Sequence, residues 1–251
     1  MAGHSKWANI KHHKARVDAK RSKVWSKCSK ALMAAARSGG PDPDMNLSLR
    51  YAIDEAKYAN MPKDTIQRAI QKGAGAGTGD NFENVTYEGY GPAGTAIIVD
   101  ALTDNRTRTV TDIRTIFKRG GGSMGNSGSV GYLFSTKGRI IIDASKVSEE
   151  QIMDLAIEAG AEDVQAPEPD GDEEGYWTVL TEATEFQQVK AAIEEAGMEI
   201  TEAQIAKIPA DTIAVAGEDA KKVYNLLEAL EDNDDVQAVA TNADIDPSAL
   251  D

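Results

Sequence analysis

Most of the side chains in this chain that are suited to binding a ligand lie in its first sixteen positions. Cationic side chains alternate there with aromatic and imidazole rings: Lys6, Trp7, Lys11, His12, His13, Lys14 and Arg16. Lys and Arg pair with phosphates, and flat rings stack on exposed bases. The mixture predicts binding to nucleic acid, and stacking combined with charge is typical of single-stranded or structured RNA. A solvated basic arm anchored by Trp7 is the alternative.

The charge of the chain is divided very unevenly along its length. Residues 1–37 hold ten Lys and Arg residues against one acid, Asp18, whereas the full chain has a formal net charge of -14. The remaining residues therefore sum to about −23. The basic series continues past the arm through Lys20, Arg21, Lys23 and Lys27. An acidic protein with one basic end is expected to place that end on a polyanion, and nucleic acid is the first candidate.

An anionic membrane surface is the second polyanion to consider. The segment 19–38 lacks the broad Leu, Phe and Trp sector that interfacial helices use. No stretch approaches 18 consecutive apolar residues, so we expect neither a transmembrane helix nor a membrane partner. The single cysteine, Cys28, excludes an internal disulfide and favours a reducing, cytoplasmic setting. A basic, acid-poor start of this kind also occurs in organelle transit peptides.

A second basic cluster follows the segment Asp104-Asn105. It contains Arg106 and Arg108, and further along Arg114, Lys118 and Arg119, in an otherwise acidic half of the chain. The segment lies at a predicted strand-to-helix junction, where backbone N–H groups and cations together could hold a phosphate. Helix capping by Asp104 or Asn105, with the cations as a solvated face, is the equal alternative.

Catalytic and metal chemistry find little support in the sequence. His4, His12 and His13 do not have zinc-like spacing, and no Ser-His-Asp, Cys-His or Walker constellation is present. Cys28 falls on an apolar helix face and is interpreted as a small core residue. The glycines of 73–79 do not match a dinucleotide-binding loop and predict a flexible linker. We therefore expect no enzyme activity, no metal and no cofactor.

Hydrophobic periodicity predicts the helices and strands on which these residues lie. Helices are predicted at 19–38, 46–60 and 63–72, which make a small bundle. Strand and helix patterns then alternate to the C-terminus, with a strand pair at 131–135 and 139–143. The count predicts an α+β protein: an N-terminal three-helix bundle and two ferredoxin-like-type α+β sandwich domains, one inserted in the other. The expected domains are 1–80, including the linker, 81–130 plus 207–251, and the insertion 131–206.

Several short motifs occur in a fixed order along the chain. They are Met1–Trp7 with Lys11-His12, Asn60–Lys63, Tyr87–Pro92, Thr103–Arg106 and Gly121–Ser123. Together they resemble the YebC/PmpR family over essentially the full length. One local departure is Gly125–Ser129, where relatives often carry a Pro before the second Gly. The resemblance implies a helical bundle with two α+β domains, one inserted in the other.

The function predicted from these observations is a non-enzymatic, nucleic-acid-binding regulator of gene expression. The usual family label implies a DNA-binding transcriptional regulator. Other family members are regarded as ribosome-associated translation factors that relieve stalling on proline-rich nascent chains, so ribosomal RNA and the ribosome are the alternative partners. The segment 19–38 presents Lys, Arg and Ser rather than Asn or Gln, which favours phosphate contact over base readout.

Overall fold

Three helices form the N-terminal bundle of the protein, whose computed structural model describes residues 18–75, 81–167, 175–245 and 249. Helix α1 spans Asp18–Gly39, α2 spans Leu47–Tyr58 and α3 spans Lys63–Ala74. Residues at helical spacing meet in one apolar core: Cys28, Leu32, Leu49, Ala56, Ile66 and Ile70. Val24, which the periodicity places on the inner face of α1, is instead 42% exposed.

Two polar or small residues determine how the bundle closes. Asn46 caps α2 by accepting a hydrogen bond from the Leu49 N–H at 3.1 Å, and its amide donates to the carbonyls of Ala35 and Gly40, both at 2.8 Å. Gly73 lies inside α3 rather than at the start of a linker. A Cβ atom at Gly73 would stand 2.3 Å from the Met33 carbonyl oxygen, so only glycine permits this approach of α3 to α1.

The remaining elements alternate between strands and helices. In chain order they are β1 Glu83–Tyr90, β2 Ala96–Thr103, α4 Arg106–Arg119, β3 Ser123–Met124, β4 Phe134–Asp143, α5 Glu149–Glu158, β5 Asp163–Gln165, β6 Tyr176–Glu182, α6 Phe186–Glu195, β7 Ile200–Pro209, β8 Ile213–Val215, α7 Gly217–Glu231, β9 Val236–Thr241 and β10 Ala243–Ile245. The predicted α+β class is confirmed.

The first sheet has the strand order β3-β1-β2-β9, and all of its neighbouring strands are antiparallel. Strand β9 follows β2 by more than a hundred residues, yet Ile97 pairs with Thr241 and Val99 with Val239. Helices α4 and α7 supply Phe117 and Leu227 to the core beside this sheet. Strands β8 and β10 form a separate parallel pair.

The second sheet has the order β5-β6-β4-β7, again antiparallel throughout. With α5 and α6 it makes the βαββαβ arrangement of ferredoxin-like domains, around a core that includes Ile140, Ile152 and Phe186. The predicted strand pair at 131–135 and 139–143 is wrong, because β4 is one continuous strand. Gly138 interrupts its apolar pattern since a Cβ there would stand 2.3 Å from the Thr181 hydroxyl.

The bundle, the first sheet and the second sheet each have their own hydrophobic core. The domain bounds expected from the sequence stay a prediction. The bundle also packs against the part that contains the second sheet: Tyr51 of α2 makes an edge-on contact with Phe186, with ring centroids 5.7 Å apart. Beside it, Lys190 of α6 lies 2.9 Å from the Asp54 carboxylate of α2. Both contacts fix α2 against the second sheet's helix α6.

Candidate nucleic-acid interface

Three lysines of α1 point toward the turn that follows α7. Lys23, Lys27 and Lys30 recur at helical spacing, and we call them the lysine row. Lys23 Nζ lies 3.3 Å from the Asp232 carboxylate, Lys27 donates to the Glu231 carbonyl, and Lys30 donates to the Asp234 carbonyl at 2.9 Å. The last carbonyls of a helix carry partial negative charge, so the row lies against a local anionic surface.

Asp235 connects the lysine row to a second basic helix. One oxygen of its carboxylate accepts from Lys30 Nζ at 2.8 Å, and the other accepts from the Arg108 guanidinium at 2.8 Å and the Thr109 hydroxyl at 2.7 Å. Asp235 is 5% exposed, although it lies in a segment rich in Asp and Glu, 228–235. Burial opposes its ionisation, but hydrogen bonds from Lys30, Arg108 and Thr109 outweigh burial and lower its pKa to about 2.

The start of α4 is occupied by its own capping residues. The Asn105 side chain accepts from the Arg108 N–H at 3.0 Å, as the capping interpretation predicted. The Arg108 guanidinium pairs with Asp104 as well as Asp235, each at 2.8 Å. Arg106 is exposed and belongs to no ion pair within the described part of the chain. The predicted pair of cations therefore divides: Arg108 is a structural residue, and the charge of Arg106 faces solvent.

The other end of α4 carries an exposed basic patch. Arg114, Thr115, Lys118 and Arg119 line a shallow, open depression. Among the described residues, the ion pairs found include none of these three cations. Their positive charge is therefore available at the surface.

The motif Tyr87–Pro92 holds the glycine-rich loop at residues 120–131 in place. Tyr87 is 7% exposed, so it is not available for stacking on a base. The Tyr90 hydroxyl donates to the Ser129 carbonyl at 2.9 Å. The buried Glu88 carboxylate accepts from the backbone N–H groups of Gly128, Val130 and Gly131 at 2.7, 2.8 and 2.7 Å. The feature of the sequence that could have indicated this role is that Glu88 is the one charged residue of the motif Tyr87–Pro92.

Much of the predicted interface lies outside the described residues. This holds for Lys6, Trp7, Lys11, His12, His13, Lys14 and Arg16, and for the side chains of Lys20 and Arg21. Lys23 and Lys27 are described and belong to the lysine row. Lys30, Asp235 and Glu88 were not among the predicted site residues. Like Lys23 and Lys27, Lys30 contacts a residue more than 200 positions away in the chain, a relation that spacing does not reveal.

Comparison with known proteins decides the family. The family model described as "TACO1/YebC protein N-terminal domain" matches residues 5–76, and the model "TACO1/YebC second and third domain" matches residues 82–243. The chain belongs to the TACO1/YebC family. The resemblance stated from its motifs is thereby confirmed.

Relatives and a solved structure agree with this assignment. A protein of Natranaerobius thermophilus named "Probable transcriptional regulatory protein" is 48% identical, with 100% of this chain and 99% of the relative covered. A protein of the same name from Rubrobacter xylanophilus is also 48% identical, over 100% and 98% of the two chains. The crystal structure of a conserved hypothetical protein from Aquifex aeolicus has a TM-score of 0.86 at 48% identity, covering 98% of this chain and 99% of that one.

Other types of site find no support in the described part of this TACO1/YebC protein. Burial raises the pKa of the Cys28 thiol to about 12, so the thiol stays protonated near neutral pH, as expected for a core residue. Within residues 18–75, 81–167 and 175–245, no group of three or more His, Cys, Asp or Glu residues could hold a metal ion. The described helices include none with the length and apolar character needed to cross a membrane.

The stability of this TACO1/YebC protein is expected to depend on pH through Asp235. Its folded pKa of about 2 lies below the ordinary value of 3.8, so its contribution is fully present above that ordinary value and is lost as pH falls through about 2. We expect the stability advantage of the wild type over Asp235→Asn to shrink by about 2 kcal/mol between neutral pH and pH of about 2. Urea unfolding of both proteins across this range measures it. A constant difference would contradict the assignment.

Proposed function

We propose that this protein is a non-enzymatic regulator of gene expression that binds nucleic acid, as a DNA-binding transcriptional regulator of YebC type. One observation carries the proposal: ten basic residues against one acid in positions 1–37, in a chain whose remainder sums to about −23. The names of the relatives support a role in transcription regulation. The cytoplasmic setting inferred from the single cysteine is part of the same proposal.

Phosphate contacts are proposed to supply most of the affinity. The contacts come from Lys6, Lys11, Lys14, Arg16, Lys20 and Arg21, with Trp7, His12 and His13 as stacking or phosphate-binding groups. Lys23 and Lys27 of α1 are proposed to add further contacts, and Lys23 keeps 46% of its side chain exposed beside Asp232. Exposed ion pairs such as Lys23–Asp232 contribute about 1 kcal/mol or less, so a dense polyphosphate can compete for Lys23.

A translation factor bound to ribosomal RNA is the second candidate, and the composition of two helices favours it. Neither α1 nor α4 contains an Asn or Gln residue, the side chains that read adenine in the major groove. Their polar surfaces offer mainly Lys, Arg, Ser and Thr, which suit the backbone of a folded RNA as well as that of DNA.

Ultraviolet crosslinking in cells, followed by sequencing of the bound nucleic acid, tests the proposal. Reads concentrated at promoters support the transcriptional regulator, and reads concentrated in ribosomal RNA support the translation factor. Absence of crosslinked nucleic acid above the level of an untagged strain would contradict both candidates. The choice of partner then determines whether the acidic α+β domains are tested against polymerase components or against ribosomes.

Neutralising the arm is expected to weaken binding and its salt dependence together. In Lys6→Gln/Lys11→Gln/Lys14→Gln, the slope of log affinity against log salt should fall by about 0.7 to 0.9 for each phosphate that the arm no longer neutralises. Fluorescence anisotropy at several salt concentrations measures the slope. The matched control, Lys146→Gln/Lys207→Gln/Lys222→Gln, removes the same charge from the α+β domains. Equally weakened binding in both variants would show that only net charge matters and would refute the arm as a site.

A further inference from the structure

We propose that the exposed cations of α4 and the lysine row of α1 form one composite site, held together by Asp235, that binds a single nucleic-acid backbone. We define the α4 face as Arg106, Arg114, Lys118 and Arg119. This inference rests on the proposed function and adds to it a second, separate contact region in the folded part of the protein. It also states how the two regions are held relative to each other.

Positive charge in the acidic half of the chain is concentrated on α4. Residues 81–251 contain 12 Lys and Arg residues against 34 Asp and Glu residues, and five of the 12 lie in the fourteen residues of α4. Asp112 is the one acid within this helix. A strongly acidic half that gathers its cations on one helix creates a local positive potential, which attracts polyanions while the remaining surface repels them.

The cations of the α4 face have no acidic partner in the described structure, whereas most cations elsewhere in the same half do. The paired ones are Lys137 with Glu162 and Glu182, Arg139 with Glu202, Lys146 with Glu199, Lys190 with Asp54 and Lys222 with Asp219. All four cations of the α4 face are exposed. Since carboxylates are abundant in this protein, cations that lack an acidic partner are well suited to bind an external anionic ligand.

The geometry at Asp235 brings the two basic helices together. Lys30 of α1 and Arg108 of α4 bind opposite oxygens of this one buried carboxylate, each at 2.8 Å. One side chain from each helix therefore contacts the same carboxylate. A helix rises about 1.5 Å per residue, so Lys118 stands about 15 Å along α4 from Arg108. That length corresponds to about four base pairs of duplex, at roughly 3.4 Å per phosphate on each strand.

A nucleic-acid backbone fits this surface better than an isolated phosphate. The cations are spread along a helix with shallow relief rather than gathered in a closed pocket. A repeating polyphosphate satisfies several separated cations at once and releases a counterion at each contact. The carboxylate of Asp235 then keeps the lysine row and the α4 face in a constant relative position while the ligand is bound.

Neutralising the α4 face provides the first test. Arg114→Gln/Lys118→Gln is compared with Lys146→Gln/Lys207→Gln, which removes the same charge from the domain of the second sheet. The probes are an RNA duplex and a DNA duplex of about 24 base pairs with the same mixed sequence, and stronger binding to one identifies the preferred nucleic acid. On the DNA duplex we expect the salt slope to fall by about 1.8 in the α4 variant, for two lost phosphate contacts, and to stay near the wild-type value in the control. Equal slopes in the two variants would overturn the proposal.

Replacing Asp235 provides the second test, because two roles for its carboxylate, shielding and holding, predict opposite changes in binding affinity. Asp235→Asn removes a negative charge, so an acidic turn that merely shields the lysine row predicts tighter binding. A carboxylate that holds two basic helices together predicts weaker binding, by at least about threefold, because one helix no longer reaches the phosphates. Asp234→Asn, an exposed neighbour with the same charge change, is the control. Tighter binding by Asp235→Asn than by this control would overturn the proposal.

The two tests separate this inference from the proposed function. Failure of the wild type to bind either duplex with salt dependence would refute nucleic-acid binding itself. Weak binding by the arm variant, with wild-type behaviour of the α4 variant, would refute only the composite site. Thermal unfolding of each variant shows whether it is folded, and the α4 variant tests the proposal even if Asp235→Asn unfolds, because its substitutions lie on an exposed helix face.

Discussion

Replacement of Glu88 by alanine is expected to lower the free energy of unfolding by about 3 kcal/mol, because it leaves three backbone N–H groups without their charged acceptor. The carboxylate is 8% exposed and accepts from Gly128, Val130 and Gly131 at 2.7 to 2.8 Å. These bonds hold the glycine-rich loop against β1. Urea unfolding followed by circular dichroism measures the change, and proteolysis within 125–131 reports release of the loop.

Glu83→Ala is the matched control for this prediction. Glu83 lies on the same strand, but its side chain is exposed, so its replacement should change stability by less than about 0.5 kcal/mol. Burial alone would raise the pKa of Glu88, yet the three N–H donors outweigh burial and the pKa lies below its ordinary value of 4.5. The wild-type advantage over Glu88→Gln should therefore be complete above that value and decrease as pH falls through the folded pKa. An advantage that grows in acid would contradict this role.

Lys190→Met is expected to cost about 3 kcal/mol, whereas Lys57→Met should cost less than about 1 kcal/mol. Both lysines contact the same Asp54 carboxylate, Lys190 at 2.9 Å and Lys57 at 3.0 Å. Distance therefore cannot distinguish them. Burial does: 8% of the Lys190 side chain is exposed against 64% of the Lys57 side chain. Removing a buried partner leaves Asp54 poorly compensated, while water readily replaces an exposed one.

A double-mutant cycle separates this ion pair from general packing. Asp54→Asn combined with each lysine variant should give a coupling energy above about 1 kcal/mol for Lys190 and near zero for Lys57. The Lys190 pair joins α2 of the bundle to α6 of the second sheet, beside the Tyr51 and Phe186 rings. Equal coupling for both lysines would show that burial does not control the pair and that the bundle is held by its aromatic contacts alone.

Local patterns were sufficient to predict most of the secondary structure, and the reason is periodicity. Helix α1 at Asp18–Gly39 differs from the predicted range, 19–38, by one residue at each end. The secondary-structure predictions failed at positions where a contact between distant parts of the chain determines the residue type. Gly138 fell between two predicted strands, and Gly73 was interpreted as the start of a linker, yet both are glycine because a neighbouring chain segment approaches too closely for a Cβ atom. Such approaches leave no periodic signal.

The candidate site was likewise predictable in its composition and not in its contacts. Composition and motif order are enough to show that positive charge is concentrated in residues 1–37 and 106–119, that the rest is acidic, and that the chain resembles one family. The folded structure is needed to see which of those charges are already paired. Arg108 and Lys30 share Asp235, whereas Arg114 and Lys118 have no acidic partner among the described residues. Ion pairing depends on distances of a few ångströms between groups some 205 positions apart along the chain, and composition and spacing contain no information about those distances.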